Sequence, residues 1–304
     1  MRRRTFLKEM TALAAVGLPF AANGAMKAYD PKARFEIKVS EVPFRKNAQG
    51  RQLMARIYQP VGAGPFPTLL DLHGGAWHRK DRTANEPMDR AIAESGVLVV
   101  AIDMTLSGEA PYPASVQDAS YGVRWLKSRA AEWNGSAAKL GVLGSSSGGH
   151  IAELIAMRPN DARYNAIPFE GADTAVAYVA TRSPISNCYA RWENAESMKN
   201  KSLIEASTSY FSPWETIHEG NPQEILDRKE KVVLRPLLVM QGELDDNMRP
   251  AFQQMFVQAY RNAGGECQYE VFKGSVHEWV AKPGPQTDAA HEMVKAFIAR
   301  NLAR

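Results

Sequence analysis

Gly144-Ser145-Ser146-Ser147-Gly148 fits the pattern G-x-S-x-G, with Ser146 at its centre. A serine hydroxyl is a weak nucleophile near neutral pH. It needs a base to take its proton, and the base needs a third group to orient it. Six histidines are available: His73, His78, His150, His218, His277 and His291. His277 follows a strand-like run, Tyr269 to Phe272, through the short loop Lys273-Gly274-Ser275-Val276. That places it at the carboxyl end of a strand, where open α/β sheets meet their ligands. The periodicity puts His291 on the polar side of a last helix and His150 on the helix after Ser146. His218 falls in an irregular stretch, where it is at most a substrate contact. For the orienting acid, Gln241-Gly242-Glu243-Leu244-Asp245-Asp246 follows another apolar run. Asp245 is the first choice, with Asp246 and Glu243 as alternatives. A further element is His73-Gly74-Gly75-Ala76-Trp77: two consecutive glycines allow close backbone approach, and the N–H groups of Gly74 and Gly75 can face a developing oxyanion. The N–H of Ser147, at a helix start, is a third donor.

These residues need elements to hold them. Short apolar runs at Thr68 to Leu72, Val97 to Ile102, Leu140 to Leu143, Ala175 to Ala180 and Leu234 to Met240 have the length of buried strands. Two earlier strands are expected at Arg34 to Val39 and Arg51 to Tyr58. Helical spacing separates the runs. Val116, Ala119, Val123, Leu126, Ala130 and Trp133 share one face after Pro113, Gly148 to Met157 is an apolar helix, and further faces recur at Phe252 to Tyr260 and Ala290 to Ile298. Alternation of this kind predicts an α/β fold with a mostly parallel sheet and helices on both faces. Residues 186–230 break the rhythm and are too long for a simple connection, so they are read as a small cap over the site. Trp77, Trp279 and the cap aromatics Trp192, Tyr210 and Trp214 are expected to shape a substrate pocket.

The motifs His73-Gly74-Gly75-Ala76-Trp77, Gly144 to Gly149, Gly242 to Asp245 and His277, in this order, resemble the α/β-hydrolase fold. More narrowly the chain is similar to the esterase and lipase branch that includes hormone-sensitive-lipase-like and bacterial carbohydrate or feruloyl esterase-like enzymes. The likeness covers nearly all of residues 34–303. It implies a Ser-Asp-His chain order, with Ser146 as nucleophile, Asp245 as acid, His277 as base and Gly74, Gly75 and Ser147 as oxyanion donors. It also implies hydrolysis of a small-molecule carboxylic ester without cofactor or metal. An amidase or peptidase on the same triad, and a non-catalytic binding protein on the same fold, are the alternatives. Two departures stand out: Thr105-Leu106-Ser107-Gly108 replaces an Arg-Leu-Ala-Pro type segment, and Ser145 and Ser147 flank the nucleophile where Asp and Ala are more usual.

Charge sets the remaining expectations. The 304 residues hold 37 Lys and Arg against 33 Asp and Glu, a net of +4. Much of that excess lies at the start, where Arg3-Arg4-Thr5-Phe6-Leu7-Lys8 reads as R-R-x-F-L-K before a short apolar run. This resembles a twin-arginine export signal over residues 1–25, recognised by the export machinery and too short to anchor the protein in a membrane. The expected location is periplasmic or secreted. Without those residues, 33 basic side chains face 32 acidic ones, a field too weak to suggest nucleic acid as a partner. The catalytic domain is then 26–304. Cys188 and Cys267 are the two cysteines, and a disulfide between them is one expectation, two separate buried thiols the other.

Overall fold

The apolar runs of the sequence become the strands of one sheet. The structure, a computed structural model, describes residues 28–304; the segment read as an export signal, 1–25, lies outside the described residues. Two long strands, β1 (Ile37–Lys46) and β2 (Gln52–Pro60), form an antiparallel pair, followed by β3 (Phe66–Leu72), α1 (Glu86–Ala93), β4 (Leu98–Ile102) and α2 (Ala114–Arg129). The chain continues through β5 (Gly135–Ser145), α3 (Ser147–Met157) and β6 (Tyr178–Arg182). Four helices come next: α4 (Cys188–Ser197), α5 (Lys201–Tyr210), α6 (Thr216–Glu219) and α7 (Pro222–Asp227). The chain ends with β7 (Leu237–Gly242), α8 (Pro250–Asn262), β8 (Cys267–Phe272) and α9 (Pro285–Leu302).

The eight strands lie in the order β1-β2-β4-β3-β5-β6-β7-β8. Only β1 with β2 and β2 with β4 pair antiparallel; all other neighbours are parallel. Because side chains alternate across a strand, each run feeds two cores. Leu98, Val100 and Ile102 of β4 pack on the side of α2, α3 and α8, while Val99 and Ala101 pack on the side of α1 and α9. Leu70 and Leu72 divide from Leu69 in the same way. Both faces are covered, so the central strands read as continuous apolar runs.

The expected cap at 186–230 is the helical excursion α4 to α7 between β6 and β7. Each of its helices has ten residues or fewer, which is why no long period marks it. Asn187 caps α4 and Asn200 caps α5, each side chain accepting a backbone N–H three residues on. Among the described residues no helix is long and apolar enough to cross a membrane.

Candidate active site

The carboxyl ends of β3, β5, β6, β7 and β8 converge on one point. Ser146 occupies the turn between β5 and α3 with φ 53° and ψ −117°, a conformation that costs an L-residue about 1–3 kcal/mol. The surroundings enforce it: Ser146 N–H donates to the carbonyl of Arg182 at 2.8 Å, while its own carbonyl accepts from His150 at 3.1 Å and Ile185 at 3.2 Å. The flanking glycines are steric necessities. A Cβ on Gly144 would stand 2.5 Å from the Gly148 carbonyl oxygen, and one on Gly148 would stand 2.0 Å from that of Leu72. The tight turn thus lifts the hydroxyl above the sheet edge.

His277, in the loop after β8, meets this hydroxyl. Ser146 Oγ lies 2.9 Å from His277 Nε2, and His277 Nδ1 lies 2.8 Å from Asp245 Oδ2. With Nδ1–H donating to the carboxylate, Nε2 is the nitrogen left to accept the serine proton. Burial holds the His277 imidazolium below the ordinary histidine range, although Asp245 opposes that shift. The neutral base therefore prevails at neutral pH. Burial acts to raise the Asp245 pKa, but the hydrogen bond and charge of His277 and the backbone N–H of Met248 outweigh it and hold the carboxyl below its usual value. Asn247 N–H, Met248 N–H and the Gln241 side chain also donate to it. Of the alternative acids, Asp246 is exposed, and Glu243 is exposed and accepts from Gly274 N–H.

Facing Ser146 is the turn after β3. A Cβ on Gly74 would lie 3.2 Å from Ser146 Cβ, so glycine permits the close approach. Gly75 has φ +110°, and a Cβ there would collide with the Arg79 carbonyl at 2.0 Å. Ala76 and Trp77 also have positive φ. The backbone N–H groups of Gly74, Gly75 and Ser147 donate to no protein acceptor among the described residues, leaving three donors beside the hydroxyl.

The two tryptophans expected in the pocket pack elsewhere. Trp77 is 3% exposed, stacks on Tyr210 with centroids 4.6 Å apart, and donates its Nε1–H to His150 Nδ1 at 3.2 Å. Trp279 stacks on Phe272 in the core beneath α9. Neither lines the space above Ser146. Both rings follow catalytic loops, but the positive φ of Trp77 and the short helical turn at Trp279 direct them inward. Among the cap aromatics, Tyr210 is fully buried and Trp192 packs against Trp214. His150 is buried beneath the turn, with Nε2 against the Gly220 carbonyl. His291 is half-buried rather than solvated, and His218 pairs with Glu224 on the surface of the cap. Cys188 and Cys267 are both buried free thiols.

The pocket above Ser146 is lined by Gly74, Gly75, Arg79, Lys80, Arg182, Leu203, Asn247, His277 and Glu278, among others. Arg79, Lys80, Arg182, Leu203, Asn247 and Glu278 were not legible as site residues. Arg182 carried the one usable signal, a cation closing an apolar strand at the ligand-binding edge of the sheet. Among the described residues no group of three His, Cys, Asp or Glu side chains is gathered to hold a metal.

The model of the BD-FAE family matches residues 56–259, two thirds of the chain, from within β2 to α8, including Ser146 and Asp245. The chain belongs to the BD-FAE family. This BD-FAE member is similar to the esterase LipQ of Mycobacterium tuberculosis, 27% identical over 256 residues that make up 77% of this chain and 55% of LipQ. It is also similar to the carboxylesterase NlhH of the same organism, 29% identical over 161 residues, 52% of this chain and 49% of NlhH. The chain spans about half the length of these relatives. Its backbone is similar to that of esterase B from Lactobacillus rhamnosis, with a TM-score of 0.74 at 18% identity, covering 90% of this chain and 89% of that one. A truncated carbohydrate esterase from gut microbiota gives 0.72 at 17% identity, covering 90% and 99%. These likenesses establish the α/β-hydrolase fold.

Proposed function

We propose that this BD-FAE-family protein hydrolyses carboxylic esters, with Ser146 as nucleophile, His277 as base and Asp245 as the group that orients it. The observation that carries this reading is the continuous hydrogen-bonded chain from Ser146 Oγ through His277 to Asp245, at 2.9 and 2.8 Å. In the proposed cycle His277 Nε2 takes the serine proton as Oγ attacks the ester carbonyl, and Asp245 stabilises the imidazolium. The N–H groups of Gly74, Gly75 and Ser147 receive the oxyanion. The imidazolium then protonates the departing alcohol, leaving an acyl group on Ser146. Water, deprotonated by the same imidazole, releases that acyl group as the acid.

The test is hydrolysis of p-nitrophenyl acetate and butyrate, alongside formyl-arylamides and peptide arylamides. Esters are expected to be the faster substrates, and Ser146→Ala is expected to reduce kcat by roughly 10⁴–10⁶-fold. Faster turnover of an amide would move the assignment to an amidase. Failure of a fluorophosphonate to label Ser146 would make the protein a binder on a hydrolase fold.

A further inference from the structure

Arg182 closes β6 and reaches the same pocket as Ser146 and His277. It is 5% exposed. Its Nη1 donates to the backbone carbonyl of His277 at 2.5 Å, and its enclosed Nε has no hydrogen-bond partner among the described residues. A guanidinium remains charged across the working pH range, and an ion removed from water without a counterion is costly. Each acidic group that acts on Arg182 through space is engaged elsewhere. Glu278 pairs with Lys80 at 2.8 Å. Asp245 holds His277, Gln241 and two backbone N–H groups. Asp71 accepts from Asn85, and burial pushes its pKa up to about 7, so near neutrality it carries only part of a negative charge.

Two further arginines add positive charge around the pocket. Arg79 lines the pocket, is exposed, and makes no ion pair among the described residues. Arg191 is fully buried; its Nε–H donates to pocket-lining Asn247 at 2.7 Å, and its Nη2 is enclosed without a partner. The site therefore holds two buried guanidiniums and a free one at its mouth, against two carboxylates, Asp245 committed to the histidine and Glu278 paired with Lys80. Such a field attracts an anion and leaves donors to bind it.

We propose that the pocket selects esters that carry a carboxylate a few atoms from the reacting carbonyl, such as monoesters of short dicarboxylic acids. Arg182 receives the carboxylate and Arg79 draws it in. This rests on the reading of Ser146 as the nucleophile of an ester hydrolase, and the experiment separates the two. Monoethyl succinate is compared with diethyl succinate near neutral pH and low salt. The monoester is expected to show roughly tenfold higher kcat/KM per ester group, the preference shrinking severalfold in about 0.5 M salt. Arg182→Lys, which keeps the charge but loses the planar fork, is expected to lower that preference roughly fivefold, and Arg79→Gln about twofold. Succinate should competitively inhibit hydrolysis of the diester by the unaltered protein, a readout that no variant's folding affects. If the diester is cleaved at least as fast as the monoester and succinate does not inhibit, the carboxylate preference is overturned and the esterase reading stands. If neither ester is cleaved and the fluorophosphonate leaves Ser146 unlabelled, both fall.

Discussion

The imidazole of His277 must be neutral to take a proton from Ser146, and its burial keeps it neutral below the pH at which a solvated histidine would charge. The pH profile of kcat/KM for a neutral ester is therefore expected to fall on the acid side with an inflection below 6.5, and to stay level through neutrality. An inflection above 6.5 would contradict the burial argument. Asp245→Asn should reduce kcat by roughly 10³–10⁴-fold, because an amide in place of the carboxylate no longer fixes the tautomer. At this scale the sequence disclosed the residues whose chemistry demands a type and a place: Ser146 between glycines, His277 and Asp245 each just beyond a strand. It did not disclose which way a ring turns. Trp77 adjoins a glycine pair in either reading, and only its backbone conformation sends it into the core. Arg182 does not stand out in the sequence, because a lone arginine after an apolar run is also an ordinary solvated strand end.

At the scale of elements, the site depends on how closely α3 approaches the strands. Gly148 in the first turn of α3 lies against the Leu72 carbonyl at the end of β3, and the atom a Cβ would meet, at 2.0 Å, is backbone. No side chain can swing away to relieve it. Gly148→Ala is expected to destabilise the fold by about 1–3 kcal/mol or more in urea denaturation and to disturb the Ser146 turn. Gly108→Ala, at an exposed position with open space around it, should stay within about 0.5 kcal/mol. Equal effects at the two sites would remove the steric account. The strands and the helices α2, α3, α8 and α9 were legible because buried runs and 3.6-residue faces repeat long enough to be seen. By contrast α1 has eight residues and the cap helices four to ten, too few turns to establish a period. The register that brings β5 between β3 and β6 is a tertiary fact, set by packing rather than by any one run.

Across the whole molecule, the core on the α1 and α9 side of the sheet encloses a pair of carboxyls. Asp71 of β3 and Asp89 of α1 are both fully buried. Asn85 donates to both oxygens of Asp71, and neither oxygen of Asp89 has a partner among the described residues. Burial pushes Asp71 up to about 7, opposed by the Asn85 hydrogen bond and the Arg182 charge. It also raises Asp89 well above the ordinary carboxylate range, with the neighbouring Asp71 adding to the effect. The folded state thus keeps protons that the unfolded chain has released. Stability must then decline as pH rises from about 4, where an unfolded aspartate ionises, through about 7. Asp89→Asn removes a buried carboxyl that loses no hydrogen bond. The variant should be more stable than the parent by about 1–3 kcal/mol near pH 8, with the advantage shrinking toward pH 4. Urea denaturation at several pH values between these limits measures both curves. Parallel curves, or a variant weaker at pH 8, would mean that the pair is ionised and compensated by groups other than Asn85 and Arg182.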